Sequence, residues 1–314
     1  MIIDNVSVVI TTIGRSDIVC RAVNSVLSQT FRDIEVIVVI DGPDSATMQV
    51  LEQIKDPRLI ILALPENVGV AEARNSGVRA SKYGWIAFLD DDDEWLPEKL
   101  EKQAKAAAQL DKAFPIISCS YQLLNSRINQ IRPLKFPNPS EQVSEYLFAK
   151  TSFFGGVAHL APSALVMRKE LLEAVPFRRH LWRNEDWDFL LRVAQLEEVS
   201  FEVVPECLVI IHIAEKREHL SNKDDVDFDL QWIRDNQNLF TPRAYAGYVA
   251  KNLSSEASRQ KGWKLFVPLF KEMCRFGPPT FVEFSIFLYP WFLPRIVRRW
   301  VKIIIKKVRG IIGK

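Results

Sequence analysis

Trp85-Ile86-Ala87-Phe88-Leu89-Asp90-Asp91-Asp92-Asp93 sets four carboxylates directly after an apolar strand pattern. Just beyond it, Pro97 at a first helical position opens a segment rich in Lys, Glu and Ala. Adjacent like charges repel, so such a run costs free energy unless a cation or an array of donors relieves it. Hard oxygen ligands at a strand end suit Mg²⁺ or Mn²⁺ bridging to the phosphates of a ligand. The alternative is a solvated acidic loop in which one aspartate caps the next helix.

Outward from this stretch, short apolar runs alternate with helical patterns from residue 6 onward, the mark of a mostly parallel sheet wrapped by helices. Strands are expected at 6–12, 35–40, 58–62, 85–89 and 115–121. Val19, Val23, Val26 and Leu27 share one helix face, Met48, Leu51 and Ile54 mark a second helix, and 70–80 forms a third. After about residue 122 the alternation loosens around Pro133, Pro137 and Pro139. A further strand is expected at 164–167, a helix at 185–196 with Trp187, Leu190, Leu191 and Ala194 on its apolar face, and helical pattern over 225–260. Sheets of this kind take ligands beyond the carboxyl ends of their strands, so the residues just after the strands matter most.

Two more clusters follow strands. Asp41 ends the second and is followed by Gly42-Pro43, either a turn or a ligand contact. Glu66-Asn67-Val68-Gly69-Val70-Ala71-Glu72-Ala73-Arg74-Asn75-Ser76-Gly77 follows the third. A polar turn, a helix start and an arginine on that helix can hold a pyrophosphate by amides and a fork of donors, or can be a plain turn and a solvated helix face. Later, Asn184-Glu185-Asp186-Trp187-Asp188 places three acids in a first helical turn, where the helix dipole favours them whatever their function. His212, after an apolar run, is either a satisfied structural histidine or a contact to metal or phosphate.

From about Asn5 to His219 the chain resembles family 2 glycosyltransferases of the GT-A fold. The family's first strand ends in Pro-Thr-Tyr-Asn-Arg; here Thr12 and Arg15 match within Thr11-Thr12-Ile13-Gly14-Arg15, while Thr11, Ile13 and Gly14 depart. Its Asp-Asp-Gly-Ser appears as Ile40-Asp41-Gly42-Pro43, its Asn-x-Gly-x-x-x-Ala-Arg-Asn-x-Gly is complete from Asn67 to Gly77, and Leu89 to Pro97 reproduces Leu-Asp-x-Asp-Asp before a proline-started helix. The resemblance implies an α/β architecture, a Rossmann-like mostly parallel sheet flanked by helices with a helical C-terminal extension. Residues 1–220 would form the glycosyltransferase domain, with a nucleotide-sugar half at 1–122 and an acceptor half at 123–220; 221–294 would be the extension. It further implies an inverting transfer from a nucleotide-sugar, UDP-linked, to a hydroxyl of a glycan or lipid-linked glycan, with Mn²⁺ or Mg²⁺. Thr11, Thr12, Arg15, Asp41, Asn67, Arg74, Asp90 and Asp91 would hold the donor, and Asp92 with Asp90 the metal. Asp186 would be the catalytic base, kept ionised by the helix N-terminus. Glu185 and Trp187 would meet the acceptor, His212 and His219 lying where relatives close over the phosphates.

Composition narrows the partners. At 314 residues, 48% hydrophobic and 25% charged, the chain is globular and long enough for one large domain plus an appendage. Four dispersed cysteines without a CxxC pair indicate neither a zinc knuckle nor a disulfide framework. The amino terminus lacks the pattern of a signal peptide, so a cytoplasmic chain is expected. Net charge is +2, but residues 295–314 carry +8 and leave −6 on the rest. An acidic body argues against nucleic acid. The basic stretch, with Ile296, Trp300 and Ile303 at helical spacing, fits a helix lying on the anionic inner face of a membrane, or one packed on the body. Two rivals remain: a sugar-nucleotide nucleotidyltransferase, whose basic Gly-rich loop Thr11 to Arg15 lacks, and a non-catalytic nucleotide-binding module.

Overall fold

Every residue of Ile34–Ile40 is buried, which a strand achieves only when helices cover both faces of its sheet. The computed structural model describes residues 2–126, 128–138, 141–150, 160–213, 225–260 and 262–293; the basic stretch 295–314 and His219 lie outside them. Contacts divide the chain into two units, Met1–Ser140 with Ala158–Ser221, and Glu141–Val157 with Asn222–Lys314. Of the described residues, 141–150 group with the C-terminal helices.

The first unit carries the sheet. Its strands are β1 (Val6–Thr12), β2 (Ile34–Ile40), β3 (Leu59–Ala63), β4 (Trp85–Asp90), β5 (Glu94–Trp95), β6 (Phe114–Leu124), β7 (Asn129–Arg132), β8 (Val166–Arg168) and β9 (Val199–His212). Their order is β3-β2-β1-β4-β8-β6-β9-β5, with β7 on β6. β3, β2, β1 and β4 are parallel, as are β6 and β9, whereas β8 runs antiparallel between β4 and β6. The helices are α1 (Val19–Leu27), α2 (Ser45–Leu51), α3 (Val70–Ala80), α4 (Lys99–Ala107), α6 (Lys169–Ala174) and α7 (Glu185–Val193), with α5 (Val143–Phe148) in the second unit. The helix expected to open at Pro97 begins two residues later.

Strand periodicity sorts the core into two layers. Val8, Ile10, Val36, Val38, Ala87 and Leu89 pack with Val19, Val23 and Val26 of α1. The alternate positions turn to the other face, where α3 lies so close that a Cβ at Gly77 would meet Val9 Cγ1 at 2.3 Å and Val39 Cγ2 at 3.1 Å. Phe88 on that face meets Phe177 edge-on at 5.5 Å, and Phe177 stacks on Phe189 of α7 at 4.7 Å. Such ring pairs add about 1 kcal/mol each to the burial of their area. The packed face of α7 is Phe189, Leu190, Leu191 and Val193, so Phe189 and Val193 stand where Trp187 and Ala194 were expected.

The second unit is helical: α5, then α8 (Val226–Asp235), α9 (Pro242–Tyr248), a π-turn at Val249–Leu253, α10 (Ser254–Gln260), α11 (Phe266–Met273) and α12 (Phe281–Phe292). Phe148, Trp232, Phe240 and Tyr248 form its aromatic core, with ring centroids 5.3–6.2 Å apart. Thr280 and Glu283 close a capping box on α12. Among the described residues no helix is long and apolar enough to cross a membrane.

Candidate active site

Strand order locates the site before any side chain is considered. β1 leads through α1 to β2 on one side, while β4, reached from β3, lies on the other. The loops leaving β1 and β4 therefore diverge around an open edge, where sheets of this design take ligands. Register delivers the candidates to it: Thr11 stands beside Asp90, and Thr12 beside Ile40, the residue before Asp41.

Asp41 is occupied within the fold. Its carboxylate accepts from the Val68 N–H at 2.7 Å and the Gly69 N–H at 3.0 Å, and Asn67 Oδ1 takes the Gly69 N–H at 3.2 Å. Charge-assisted bonds to amides at a helix start are strong ones, so Asp41 pins the turn that begins α3. Asn67 itself is exposed at the tip of that turn.

The acid run after β4 divides by burial. Asp91 and Asp93 turn inward, whereas the Asp90 and Asp92 side chains keep 37% and 17% of their surface open. Arg15 Nη1 donates to Asp91 Oδ1 at 2.6 Å and to Asp92 Oδ2 at 3.1 Å, and Arg21 donates to the Asp92 carbonyl at 2.5 Å. Asp93 accepts from Ser163 Oγ at 2.5 Å, and the same hydroxyl accepts the Asp90 N–H at 3.1 Å. Burial pushes the Asp91 carboxyl up to about 6 against the pull of Arg15. Burial, then Asp90, hold Asp93 well above the usual carboxylate range despite Ser163.

Three acids open α7, and each has a different fate. Asn184 before them is buried and left-handed, φ 61° and ψ 11°, a conformation that asparagine tolerates better than most side chains. Asp188 is fully buried between Arg178 at 3.0 Å and Arg192 at 2.7 Å. Glu185 Oε1 lies 3.0 Å from Nη1 of Arg74, whose Nη2 is 2.9 Å from Asp90 Oδ1. Buried Arg74, its guanidinium 5.6 Å from the centre of the Phe177 ring, thus ties α7 to the end of β4. Asp186 keeps both carboxylate oxygens clear of ion pairs within 4 Å among the described residues; Oδ1 accepts the Trp187 N–H at 2.8 Å.

At this helix N-terminus burial and the amide dipoles act on Asp186 in opposite directions. Desolvation raises the Asp186 carboxyl, opposed by the Trp187 amide and Arg74. Glu185 is raised too, by burial and by Asp186, against Arg74. A carboxylate lifted toward neutrality is a stronger base for taking a hydroxyl proton. Trp187 is half-buried at the same turn.

His212 closes β9 with Nε2 3.5 Å from the Glu94 carboxylate, which also lies 3.9 Å from Arg21 Nε. Sequence reasoning missed Ser163 and Arg21, which hold the acid run from either side. No spacing signal points to Ser163, because the short turn Pro162–Ala164 before β8 brings it to Asp90 from more than seventy residues away. Among the described residues no three His, Cys, Asp or Glu side chains are grouped to hold a metal ion by themselves.

Several known proteins are similar to this chain. The amylovoran biosynthesis glycosyltransferase AmsB of Erwinia amylovora is 25% identical over 256 residues, covering 79% of this chain and 82% of the relative. An uncharacterised glycosyltransferase of Methanocaldococcus jannaschii is 27% identical over 224 residues, covering 69% and 73%. The crystal structure of S. aureus TarS 1–349 in complex with UDP-GlcNAc aligns with a TM-score of 0.62 at 17% identity, over 87% of this chain and 82% of that one, a likeness of fold. The sequence model "Glycosyl transferase family 2" matches residues 7–175, more than half of the chain, and the protein belongs to that family.

Proposed function

We propose that this glycosyltransferase moves a sugar from a nucleoside diphosphate sugar, UDP-linked, to an acceptor hydroxyl with inversion at the anomeric carbon. One observation carries the reading: Arg74 joins Asp90, at the donor edge of the sheet, to Glu185, and Asp186 stands beside Glu185 with no ion pair among the described residues. In this reading Thr11, Thr12, Arg15 and Asn67 border the donor, Asp41 acts through the turn that it pins, and Glu185 orients the acceptor. Asp186 Oδ2 receives the proton of the attacking hydroxyl. Arg74 has both guanidinium ends on carboxylates and serves as the brace that fixes donor and acceptor sides.

The donor set fits Mn²⁺ or Mg²⁺. Asp90 and Asp92 offer hard oxygens on the open side of the run, and phosphate oxygens and water would complete the shell. When bound, such a cation supplies positive charge to the departing diphosphate. The polysaccharide role of AmsB and the "UDP-Glc:alpha-D-GlcNAc-diphosphoundecaprenol" substrates named for WfaP of Escherichia coli, 37% identical over 98 residues, favour a surface-glycan or lipid-linked acceptor. The +8 on 295–314 would hold the enzyme at an anionic membrane on the cytoplasmic side. The test is a panel of nucleotide-sugars with Mn²⁺ added or chelated, read as nucleoside diphosphate release. Metal-dependent UDP release from one donor is the expected result; pyrophosphate release, or no turnover with any donor, overturns the reading.

A further inference from the structure

A cavity of about 400 Å³ opens between α3, the end of α6, the loop 175–179 and α7. Arg79, Arg178, Arg179 and Arg192 line it, and no lining residue is acidic. Their carboxylate partners are shared: Glu72 takes Arg79 at 2.7 Å and Arg179 at 2.8 Å, and Asp188 takes Arg178 and Arg192. Each pair of guanidinium groups carries ten N–H donors, more than its one carboxylate accepts.

The wall is fixed. Buried Asn75 clamps Phe177 through both backbone groups, accepting its N–H at 3.0 Å and donating to its carbonyl at 2.8 Å. Arg192 Nη2 donates to the Pro176 carbonyl at 2.8 Å. The loop bearing Arg178 and Arg179 is therefore held on both sides. Phe177 separates this cavity from Arg74 and the candidate active site, and α7 serves both, with Arg192 roughly 9 Å along the helix from Asp186.

We propose that this pocket binds a phosphate-bearing group, with a diphosphate preferred over a monoanion. Planar guanidinium forks match phosphate oxygens in pairs, and four of them around one cavity favour a polyanion. The group is either a phosphate carried by the acceptor, which rests on the proposed transfer reaction, or a free phosphate compound.

The test is calorimetric titration of the full chain with inorganic pyrophosphate at fixed ionic strength, with UDP saturating so that any nucleotide site is filled. Binding should weaken at least fivefold in Arg79→Gln, an exposed position whose change leaves Glu72 paired with Arg179. Equal affinity in the two proteins, or no pyrophosphate binding to the natural one, overturns the proposal. Absence of UDP binding would count against the donor reading alone and leave this comparison intact. A sugar on a short isoprenyl diphosphate, compared with its phosphate-free glycoside, separates the sources. A raised KM for the former only assigns the anion to the acceptor, and unchanged KM values with pyrophosphate binding lost assign it to a free phosphate compound.

Discussion

The acid run after β4 and the acid run opening α7 look alike in sequence, and the fold divides both the same way. After β4, Asp91 and Asp93 are turned inward onto Arg15 and Ser163, while Asp90 and Asp92 stay partly open. On α7, Asp188 is buried between two arginines and Glu185 is tied to Arg74, while Asp186 accepts the Trp187 amide and has no ion pair among the described residues. Within each cluster some carboxylates are turned inward onto their partners and others keep part of their surface open. The helix splits its acids by the 3.6-residue turn, which sends Asp188 toward the core; after β4 a turn closed by the Asp93 N–H on the Asp90 carbonyl at 3.0 Å sends Asp91 and Asp93 inward.

Four measurements break or sharpen this comparison. Asp186→Asn should fold, bind donor and lose transfer by ~10² to 10⁴, the usual worth of a general base. In the natural enzyme the base form disappears as pH falls through the raised value of Asp186, so the rate should drop on the acid side while the variant's residual rate stays flat. Loss of donor affinity with an undiminished turnover rate would move Asp186 into the holding class.

Asp188→Asn should do the reverse, leaving Arg178 and Arg192 facing a neutral amide in a buried place and costing about 3 kcal/mol in denaturant unfolding. A change below about 1 kcal/mol would mean that the two acids of α7 are not divided as described. Asp92→Asn should lower turnover by about 10²-fold, the scale of removing one electrostatic stabiliser, with stability nearly unchanged. Natural activity that persists in excess chelator would separate Asp92 from any metal.

The smallest effect lies outside both runs. Lys99 is fully buried, its Nζ 3.8 Å from the centre of the Trp95 ring and 2.8 Å from Gln103 Oε1, and burial pushes it down from 10.5 to about 7. Below pH 7 both folded and unfolded chains carry the proton and the folded state bears the full penalty. Between 7 and 10.5 the unfolded chain binds more protons, so stability rises with pH. Lys99→Met should add ~2 kcal/mol at pH 6 and flatten that rise. An unchanged slope between pH 7 and 9 would refute the burial argument.

The readable parts of the sequence were those with a self-sufficient pattern. β1, β2, β3, β4 and β6 are apolar runs and were found within a few residues of their ends. β5 has two residues and β7 reads Asn-Gln-Ile-Arg, so neither carries a period; they exist because β9 and β6 offer them edges. In the site, Asp90, Asp92 and Asp186 stood out by chemistry and family spacing. Their holders did not. Ser163 is an ordinary serine until the fold brings it beside β4, and the sequence shows the Arg74 cation without the two carboxylates that the fold sets around it.

Gly77 sits one turn beyond Arg74 on α3, pressed against Val9 and Val39 with no room for a methyl group. The depth at which the Arg74 guanidinium ends is therefore set underneath it, by an atom that is missing. A side chain at position 77 would lift the helix by something like an ångström, as much as the two bonds at 2.9 and 3.0 Å can absorb before they fail together. A mutational scan scored by activity would mark Gly77 as indispensable although it faces the sheet, and saturation data from this enzyme should be interpreted with that lever in mind.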